Sequence, residues 1–354
     1  MLIHVEVLKS KKQNKKRKII KYIFFIVLFL SSGIYIYYNL NNLNLFIRTL
    51  FLPEDIKFIE SKNKQIESKL LNWIQKNNLK RLNSSEYKQY KSLLDDNITV
   101  LHYLENSSPN LKEIYYYLTL SYFYKIVLNL DFTQENLMKQ IVRGYLPPVI
   151  MDYKDYETNI KRLQIYSKKF LALEQDQENK SDIVFISIFS DVLNFKILSK
   201  IYYIKINQIQ KINNLLLLPF YEWFFLVINS NYGDIEKINH FLKSKHFWNL
   251  SSNEKLLLQA NTYYFKKDYF NLLQTYFKFK NSNNLENLKN ISSSYDKFIY
   301  IEFLRLLAET YFLQKNYNFS KYYINEIEKL NPDRSDKFLF TRIEVIKNKI
   351  KQSH

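Results

Sequence analysis

Apolar residues recur at spacings of three and four along most of the chain after residue 53, and short polar breaks separate the runs. This spacing places apolar side chains on one face of an α-helix, whereas a half-buried strand requires strict alternation. No segment shows a convincing strand period. The pattern therefore predicts an all-α chain, with helices at 54–78, 84–104, 110–129, 133–143, 154–176, 182–211, 215–229, 234–247, 252–265, 268–280, 296–313, 316–330 and 335–351.

Residues typical of helix ends lie in several of the polar breaks. Ser251 and Glu254 have the spacing of a capping box, and Ser108 followed by Pro109 predicts an N-cap with proline in the first turn. Gly144 fits the position just after a helix C-terminus. Because the connections are mostly short, we expect consecutive helices to pack as antiparallel hairpins.

An uncharged, strongly apolar stretch runs from Tyr22 to Tyr38. As a helix it would be about 25 Å long, the lower end of what crosses a bilayer. The eight Lys and Arg residues of segment 1–21 outweigh its one acid and give it a net charge of +7. The positive-inside rule then predicts a basic cytoplasmic tail at 1–21, a transmembrane anchor at 22–40 and a remaining chain that lies outside the cytoplasm.

A cleaved signal peptide is the competing interpretation of the same stretch. Ser31, Ser32 and Gly33 follow a nine-residue apolar core and resemble a cleavage site of small residues. We favour an uncleaved anchor because residues 34–38 continue the apolar stretch. A purified native protein that began at Ile34 would contradict the anchor.

Composition excludes several classes of protein. With 3 Gly and 6 Pro, the chain lacks the residues that turn-rich β folds and glycine-rich phosphate loops require. With no cysteine, it has no disulfide, no zinc–thiolate site and no thiol nucleophile. The net charge is +18, of which +11 is spread over the chain after residue 21 without a comparable cluster. Because nucleic-acid binders usually gather their basic residues on one face, we expect no nucleic-acid partner.

An internal repeat is clearest at 301–332. The first predicted helix of this segment carries a large residue, then Leu-Ala, then an aromatic residue, and small and apolar residues follow on the second helix before a closing proline. These residues are Leu304, Leu307, Ala308, Tyr311, Tyr317, Ser320, Ile324, Ile327 and Pro332. The pattern resembles the 34-residue tetratricopeptide repeat. In that repeat the two helices approach closely at two small residues, here Ala308 and Ser320.

A second unit repeats these intervals 48 residues upstream, with Leu272 where a small residue is expected. Its residues are Leu256, Ala260, Tyr263, Tyr269, Tyr276 and Phe279. The extra length falls in the polar stretch from Asn281 to Ser294, which we expect to form a loop. The resemblance implies an α-solenoid of helical hairpins, with tetratricopeptide-like repeats and a C-terminal capping helix at 251–354. Segment 41–250 is expected to be a helical-hairpin region, either of degenerate repeats or without true repeats.

No catalytic, cofactor-binding or metal site is predicted. The five histidines, at positions 4, 102, 240, 246 and 354, lack the spacing that places two metal ligands on one helical face. Asp152, Asp155 and Glu157 are interpreted as acids at the start of a helix, favoured there by its dipole. Glu222 lies in an apolar run and is interpreted as a carboxylate at a helix edge or paired with a lysine, the alternative being a functional buried acid.

Anchor and repeats together predict a scaffold in a bacterial inner membrane, crossing once, whose periplasmic domain binds other proteins. The chain's bias towards Lys, Asn, Ile, Tyr and Phe resembles spirochaete envelope proteins, where anchored repeat proteins include components of the periplasmic flagellar motor collar. Two alternatives remain open. One is a periplasmic chaperone or secretion accessory protein that binds extended clients, and the other is a cell-wall enzyme with two facing carboxylates.

Overall fold

The computed structural model describes residues 54–353 with short gaps at 77–78, 80–81, 133, 145–146, 148, 150, 196–198, 210, 245–246, 284–292 and 332–335. The tail at 1–21, the anchor at 22–40, His4, His246, His354 and Pro332 therefore lie outside the described residues. Within the described ranges, no helix is both long and apolar enough to cross a membrane.

Every regular element in the described part of the chain is helical, which confirms the predicted all-α class. One isolated bridge joins Leu130 and Val149. The α-helices are α1 (Glu54–Leu71), α2 (Ser84–Ser107), α3 (Lys112–Leu128), α4 (Gln134–Arg143), α5 (Tyr153–Leu173), α6 (Gln177–Phe195), α7 (Lys200–Gln208), α8 (Leu218–Asn231), α9 (Ile235–Leu242), α10 (Ser252–Lys266), α11 (Tyr269–Ser282), α12 (Ser294–Leu313), α13 (Tyr317–Leu330) and α14 (Lys337–Gln352). A π-helical segment, Asn72–Lys76, follows α1 directly.

Side chains at the helix starts satisfy backbone N–H groups that have no partner within the helix. The predicted capping box is confirmed at α10, where the backbone N–H of Ser251 donates to Glu254 at 2.6 Å and the N–H of Glu254 donates to Ser251 Oγ at 3.3 Å. Asp152 caps α5 by accepting the N–H of Asp155 at 3.0 Å, which confirms that these acids lie at the start of a helix. These caps fix where α5 and α10 begin.

The predicted N-cap at Ser108 is wrong. Ser108 ends α2, because its N–H donates to the carbonyl of Leu104 at 2.8 Å, and α3 begins only at Lys112. Proline disfavours the helical conformation of the residue that precedes it. Pro109 therefore terminates the preceding helix instead of starting the next one. The hydroxyl of Tyr115 donates to the carbonyl of Pro109 at 2.6 Å and holds this turn against α3.

The single helix predicted at 182–211 is also wrong, since the structure has α6 and α7 there. Ser199 adopts an extended conformation as the N-cap of α7, with φ −94° and ψ 158°. After α7 the chain returns to the start of α6, where Asp182 accepts the N–H groups of Asn213 and Asn214 at 2.8 and 3.1 Å. One straight helix could not bring these residues together, because 31 positions separate the first pair along the chain.

Helices that follow one another pack together at α2/α3, α5/α6, α10/α11 and α12/α13, as predicted, but α4 does not follow this rule. Helix α4 packs mainly on α8 and α10. Helix α3 packs on α5 rather than on α4, the next helix in the chain. The side chains of Leu137, Met138 and Ile141 on α4 are fully buried. Helix α4 therefore belongs to the core formed by helices much later in the chain.

The C-terminal part contains two series of helices. We call α8, α10, α12 and α14 the first-helix row, since each packs on the next. The partners α9, α11 and α13 follow α8, α10 and α12 after tight turns and form the second helices of three hairpins. The buried face of α14 consists of Leu339, Ile343, Ile346 and Ile350, and α14 packs on α12 and α13.

The three hairpins share one turn conformation. Gly233, Lys267 and Lys315 occupy the same turn position with φ values of 70°, 64° and 60°. The next residue in each case caps the second helix, and its N–H donates to a carbonyl five residues back at 3.0, 2.9 and 2.8 Å. The intervals between the three turns are 34 and 48 residues. The α8/α9 hairpin, whose helices were predicted at 215–229 and 234–247, thus has the same turn as the two units of the repeat pattern.

We expect Gly233→Ala to destabilise the protein by roughly 2 kcal/mol or more, because φ is left-handed and the chain is tightly packed there. A Cβ at Gly233 would lie 2.6 Å from the backbone nitrogen of Lys266. The contrasting variant Lys315→Gly should stabilise by about 0.5 kcal/mol, because glycine adopts the same φ without a Cβ clash. Urea unfolding of the purified full-length chain, followed by circular dichroism, measures both. Destabilisation by Lys315→Gly would contradict the shared turn.

Candidate protein-binding surface

The first-helix row is covered by a segment of the same chain. Before α4 begins, the ring of Phe132 packs edge-on against Phe220 and Trp223 of α8, with centroid distances of 5.0 and 5.3 Å. Near the end of α4, the side-chain amide of Asn231 on α8 donates to the backbone carbonyl of Ile141 at 3.0 Å. Gly144 follows with φ 64°, which confirms the predicted C-terminal glycine.

A buried ion network continues this cover onto α12 and α14. Arg143 at the end of α4 pairs with Glu302 of α12 and donates to Asp336, the N-cap of α14, at 2.7 Å. Glu302 also accepts from Arg305 at 2.7 Å, and Arg305 donates to Glu309 at 3.1 Å. Glu302 is completely buried and Arg305 nearly so. A buried charge is tolerated only when it is paired and hydrogen-bonded, and each of these charges has such partners.

Aromatic rings complete the contact around Arg143. Its guanidinium lies 4.8 Å from the ring centre of Phe338 and 5.5 Å from that of Phe298. Together, Phe132 and α4 thus touch α8, α10, α12 and α14. In repeat solenoids an extended surface of this kind commonly binds partners. Here α4 of the same chain occupies the part of it formed by α8 and α10, and Arg143 reaches the part formed by α12 and α14.

The ion network should make stability depend on pH in the acid range. Burial alone would raise the pKa of Glu309, but Arg305 and Arg342 outweigh it and hold that pKa below its usual value of 4.5. Burial is likewise outweighed at Asp336, where Arg143 holds the pKa below 3.8. A carboxylate with a lowered pKa stabilises the fold above its unfolded pKa, and this contribution is lost as the pH falls through the folded pKa.

We therefore expect Glu309→Gln to reduce the free energy of unfolding most near neutral pH. Relative to wild type, the loss should shrink as the pH is lowered from about 7 to about 3, because the wild-type carboxylate also becomes protonated. Urea titrations at several pH values measure this difference. A difference that stays constant over the range would show that ionised Glu309 does not contribute.

The residues of the repeat pattern lie mostly inside the two hairpins. Leu304, Leu307, Ala308, Ser320, Ile324, Ile327 and Ala260 are buried, whereas Tyr311, Tyr317, Tyr263 and Tyr269 are half-buried. The hydroxyl of Ser320 donates to the carbonyl of Ala308 at 2.9 Å, so α12 and α13 approach closely at the two small residues. Leu272, at the corresponding place on α11, is fully buried.

Outside the core, large apolar side chains are exposed along α11, α13 and the turns that precede them. We call Phe265, Phe270, Phe277, Leu313, Phe319 and Tyr322 the aromatic surface. Phe270 is 68% exposed and Phe277 54%, and their separation of seven residues places them on one face of α11. Phe319 and Tyr322 are 52% and 57% exposed on α13. Phe265 and Leu313 occupy equivalent places at the ends of α10 and α12.

Ring contacts join the two halves of the aromatic surface. Phe277 contacts Tyr276, with a centroid distance of 5.7 Å, and Tyr276 meets Tyr323 of α13 edge-on at 6.4 Å. Tyr323 stacks on Tyr311 at 5.6 Å, and Tyr311 stacks on Phe319 at 5.1 Å. This unbroken series of rings crosses the seam between α11 and α13. The exposed rings of Phe277 and Phe319 thus already have ring neighbours before any partner binds.

The histidines and acids considered as site residues in the sequence lie at different helices, α2, α5, α8 and α9, wherever the structure describes them. Glu222 is buried in α8 and accepts the backbone N–H groups of Phe247 and Trp248 at 2.9 and 3.4 Å. It therefore holds the chain after α9 against α8, which is a structural role. No group of metal-ligating side chains occurs among the described residues. His102 lies on α2 and His240 on α9.

Sequence inspection missed the aromatic surface, although one signal for it was present. Phe270 and Phe277 lie seven residues apart and fall between the repeat-packing positions of α11. An apolar pair off the packing face of a predicted helix indicates a second, solvent-facing stripe. Comparison with protein families, with curated proteins and with solved structures gives no match. Function is therefore inferred from the residues of this chain.

Proposed function

We propose that this protein is a membrane-anchored scaffold that binds other proteins in a bacterial cell envelope through the aromatic surface. The observation that carries the proposal is a group of large apolar side chains exposed on α11, α13 and the ends of α10 and α12, of which Phe277 and Phe319 belong to one series of ring contacts. Soluble surfaces rarely gather such residues without an interaction partner. Fixed aromatic anchors are also the residue type that contributes most to protein–protein affinity.

The covered first-helix row supports the same choice of surface. Helix α4 already packs on α8 and α10 of the row, and its buried Arg143 is paired with Glu302 on α12 and with Asp336, the N-cap of α14. Displacing α4 would expose its apolar stripe at a cost of about 25 cal/mol for each Å² of apolar surface. The aromatic surface, by contrast, is accessible without any rearrangement.

The envelope location is part of the proposal and is supported by the sequence alone. The cationic segment 1–21 and the apolar segment 22–40 would anchor the chain with its helical domain outside the cytoplasm. The resemblance to tetratricopeptide repeats and to spirochaete envelope proteins makes the periplasmic flagellar motor collar one specific setting for such a scaffold.

Crosslinked co-purification of the tagged full-length chain from native membranes tests the proposed function. A scaffold should recover one or two proteins in amounts close to its own. A broad set of proteins in small amounts would instead support a chaperone or secretion accessory protein, for which the fixed rings are less suited than a flexible surface. Recovery of no protein at all would contradict both functions.

The absence of cysteine makes the location directly testable. Lys161 is exposed on α5, away from the aromatic surface, so Lys161→Cys introduces a single reactive thiol that a partner on that surface does not cover. We expect a membrane-impermeant maleimide to label this thiol in cells whose outer membrane has been permeabilised while the inner membrane is intact. Labelling only after complete lysis would place the domain in the cytoplasm and contradict the envelope location.

A further inference from the structure

We infer that the aromatic surface binds an acidic protein segment that carries aliphatic or aromatic side chains. This inference rests on the proposed function and specifies the chemistry of the partner. Its basis is a set of lysines around the rings that have no acidic side chain within ion-pair distance in the described part of the chain. These are Lys266, Lys267, Lys278, Lys280, Lys315 and Lys321, of which all but Lys280 are exposed.

The lysines flank the exposed rings on both helices. Lys266 and Lys267 precede Phe270 at the turn, and Lys278 is adjacent to Phe277. On the other hairpin, Lys315 precedes Phe319 and Lys321 is adjacent to Tyr322. Since the two hairpins repeat at 48 residues, Lys267 and Lys315 occupy equivalent turn positions. The positive charge therefore accompanies the apolar surface in both units.

Nearby acids do not cancel this charge. Helix α11 contains no Asp or Glu. On α13, Glu326 pairs with Lys329 at 2.7 Å and Glu328 pairs with Lys347 at 2.6 Å. Asp268 is the N-cap of α11 and accepts the N–H of Asn271 at 3.2 Å. The unpaired charge around the rings is thus positive, and a partner with negative charge is complementary to it.

Exposed amides favour a protein partner over a lipid surface. Gln274 lies between Phe270 and Phe277 on the exposed face of α11, and Asn318 and Asn325 lie beside Tyr322 on α13. Backbone and side-chain groups of a protein can form hydrogen bonds with these amides. Acyl chains cannot, and burying an amide without a hydrogen bond is unfavourable.

Designed peptides test the partner chemistry on the full-length chain in nanodiscs of neutral lipid. The first probe is a fluorescent peptide of about 20 residues with Leu and Glu at helical spacing, and the second replaces every Glu by Lys. We expect the acidic peptide to bind at least about 10-fold more tightly than the basic one. Raising the salt from about 0.05 M to about 0.5 M should weaken this binding roughly 10-fold, because exposed charges are screened.

Charge reversal locates the binding. Lys278→Glu combined with Lys321→Glu should weaken binding of the acidic peptide at least about 10-fold. Lys161→Glu combined with Lys168→Glu on α5 makes the same change of net charge at exposed lysines elsewhere and should leave binding unchanged. Equal binding of the two peptides, or none, would overturn the inference. Equal effects of the two double variants would also overturn it. The same holds if the protein bound vesicles of anionic phosphatidylglycerol but not the acidic peptide.

Failure of this inference is distinguishable from failure of the proposed function. Both double variants are also carried through the crosslinked co-purification. A stoichiometric partner that is retained by Lys278→Glu with Lys321→Glu would leave the scaffold intact and reject an acidic partner. Absence of any stoichiometric partner from the wild-type chain would reject the scaffold itself.

Discussion

Replacing Glu302 by alanine is expected to lower the free energy of unfolding by roughly 3–5 kcal/mol. Glu302 is fully buried, and its two carboxylate oxygens pair with Arg143 and Arg305 respectively. Without this carboxylate, two guanidinium groups remain buried and lose an acceptor that water cannot replace. Asp336 and Glu309 still compensate part of the charge, which places the expected loss below that of an isolated buried cation. Urea unfolding of the full-length chain measures it.

A matched control variant tests whether the loss of stability depends on burial of the ion pair or only on its presence. Glu328→Ala removes a carboxylate that pairs with Lys347 at 2.6 Å near the surface. Because exposed ion pairs contribute little, this variant should lose no more than about 1 kcal/mol. Similar losses for Glu302→Ala and Glu328→Ala would show that the buried network does not hold α4 in place.

Replacing Phe270 and Phe277 by serine is expected to reduce recovery of the partner from native membranes at least roughly 30-fold, the affinity change for about 2 kcal/mol. Both rings are mostly exposed, so their removal deletes contacts with a partner without opening a cavity in the core. For the same reason the free energy of unfolding should change by no more than about 0.5 kcal/mol. Quantitative mass spectrometry of crosslinked membranes and urea unfolding provide the two measurements.

The control for this variant removes exposed apolar side chains from another surface. Tyr103 on α2 is 74% exposed and Ile165 on α5 is 47% exposed. Their double replacement by serine should leave recovery of the partner unchanged. If both double variants reduced recovery equally, general surface hydrophobicity would explain the loss and the aromatic surface would have no special role.

Local features of the fold were predictable from the sequence because they depend on residues close together along the chain. The spacing of apolar residues predicted the hairpins α10/α11 and α12/α13, and Ser251 with Glu254 predicted the start of α10. The break between α6 and α7 was not predictable in this way. It depends on Asp182 accepting N–H groups 31 and 32 residues later in the chain.

The position of α4 was the largest feature that sequence patterns could not predict. Its amphipathic spacing predicted a helix but not the surface that it covers. That surface is defined by Arg143 pairing with Glu302 and Asp336, which lie 159 and 193 residues further along the chain. No local signal relates such positions in a single sequence.

The helices of the α8/α9 hairpin were predicted, but its likeness to the two repeat units was missed for a different reason. Leu226 and Ile238 of α8/α9 stand where the clearest unit has the small residues Ala308 and Ser320, so the repeat pattern is absent from α8/α9. The turn itself is preserved through the left-handed φ of Gly233. Backbone conformation thus reveals a relation between units whose interior side chains differ.

Photo-crosslinking from single positions tests most directly whether the aromatic surface binds a protein partner. A photo-reactive amino acid is placed at Gln274, which is exposed between Phe270 and Phe277, and as a control at Tyr103 on α2. In native membranes we expect one dominant protein adduct from position 274 and none from position 103. Adducts from position 103 without any from position 274 would contradict the assignment of the binding surface to α11 and α13.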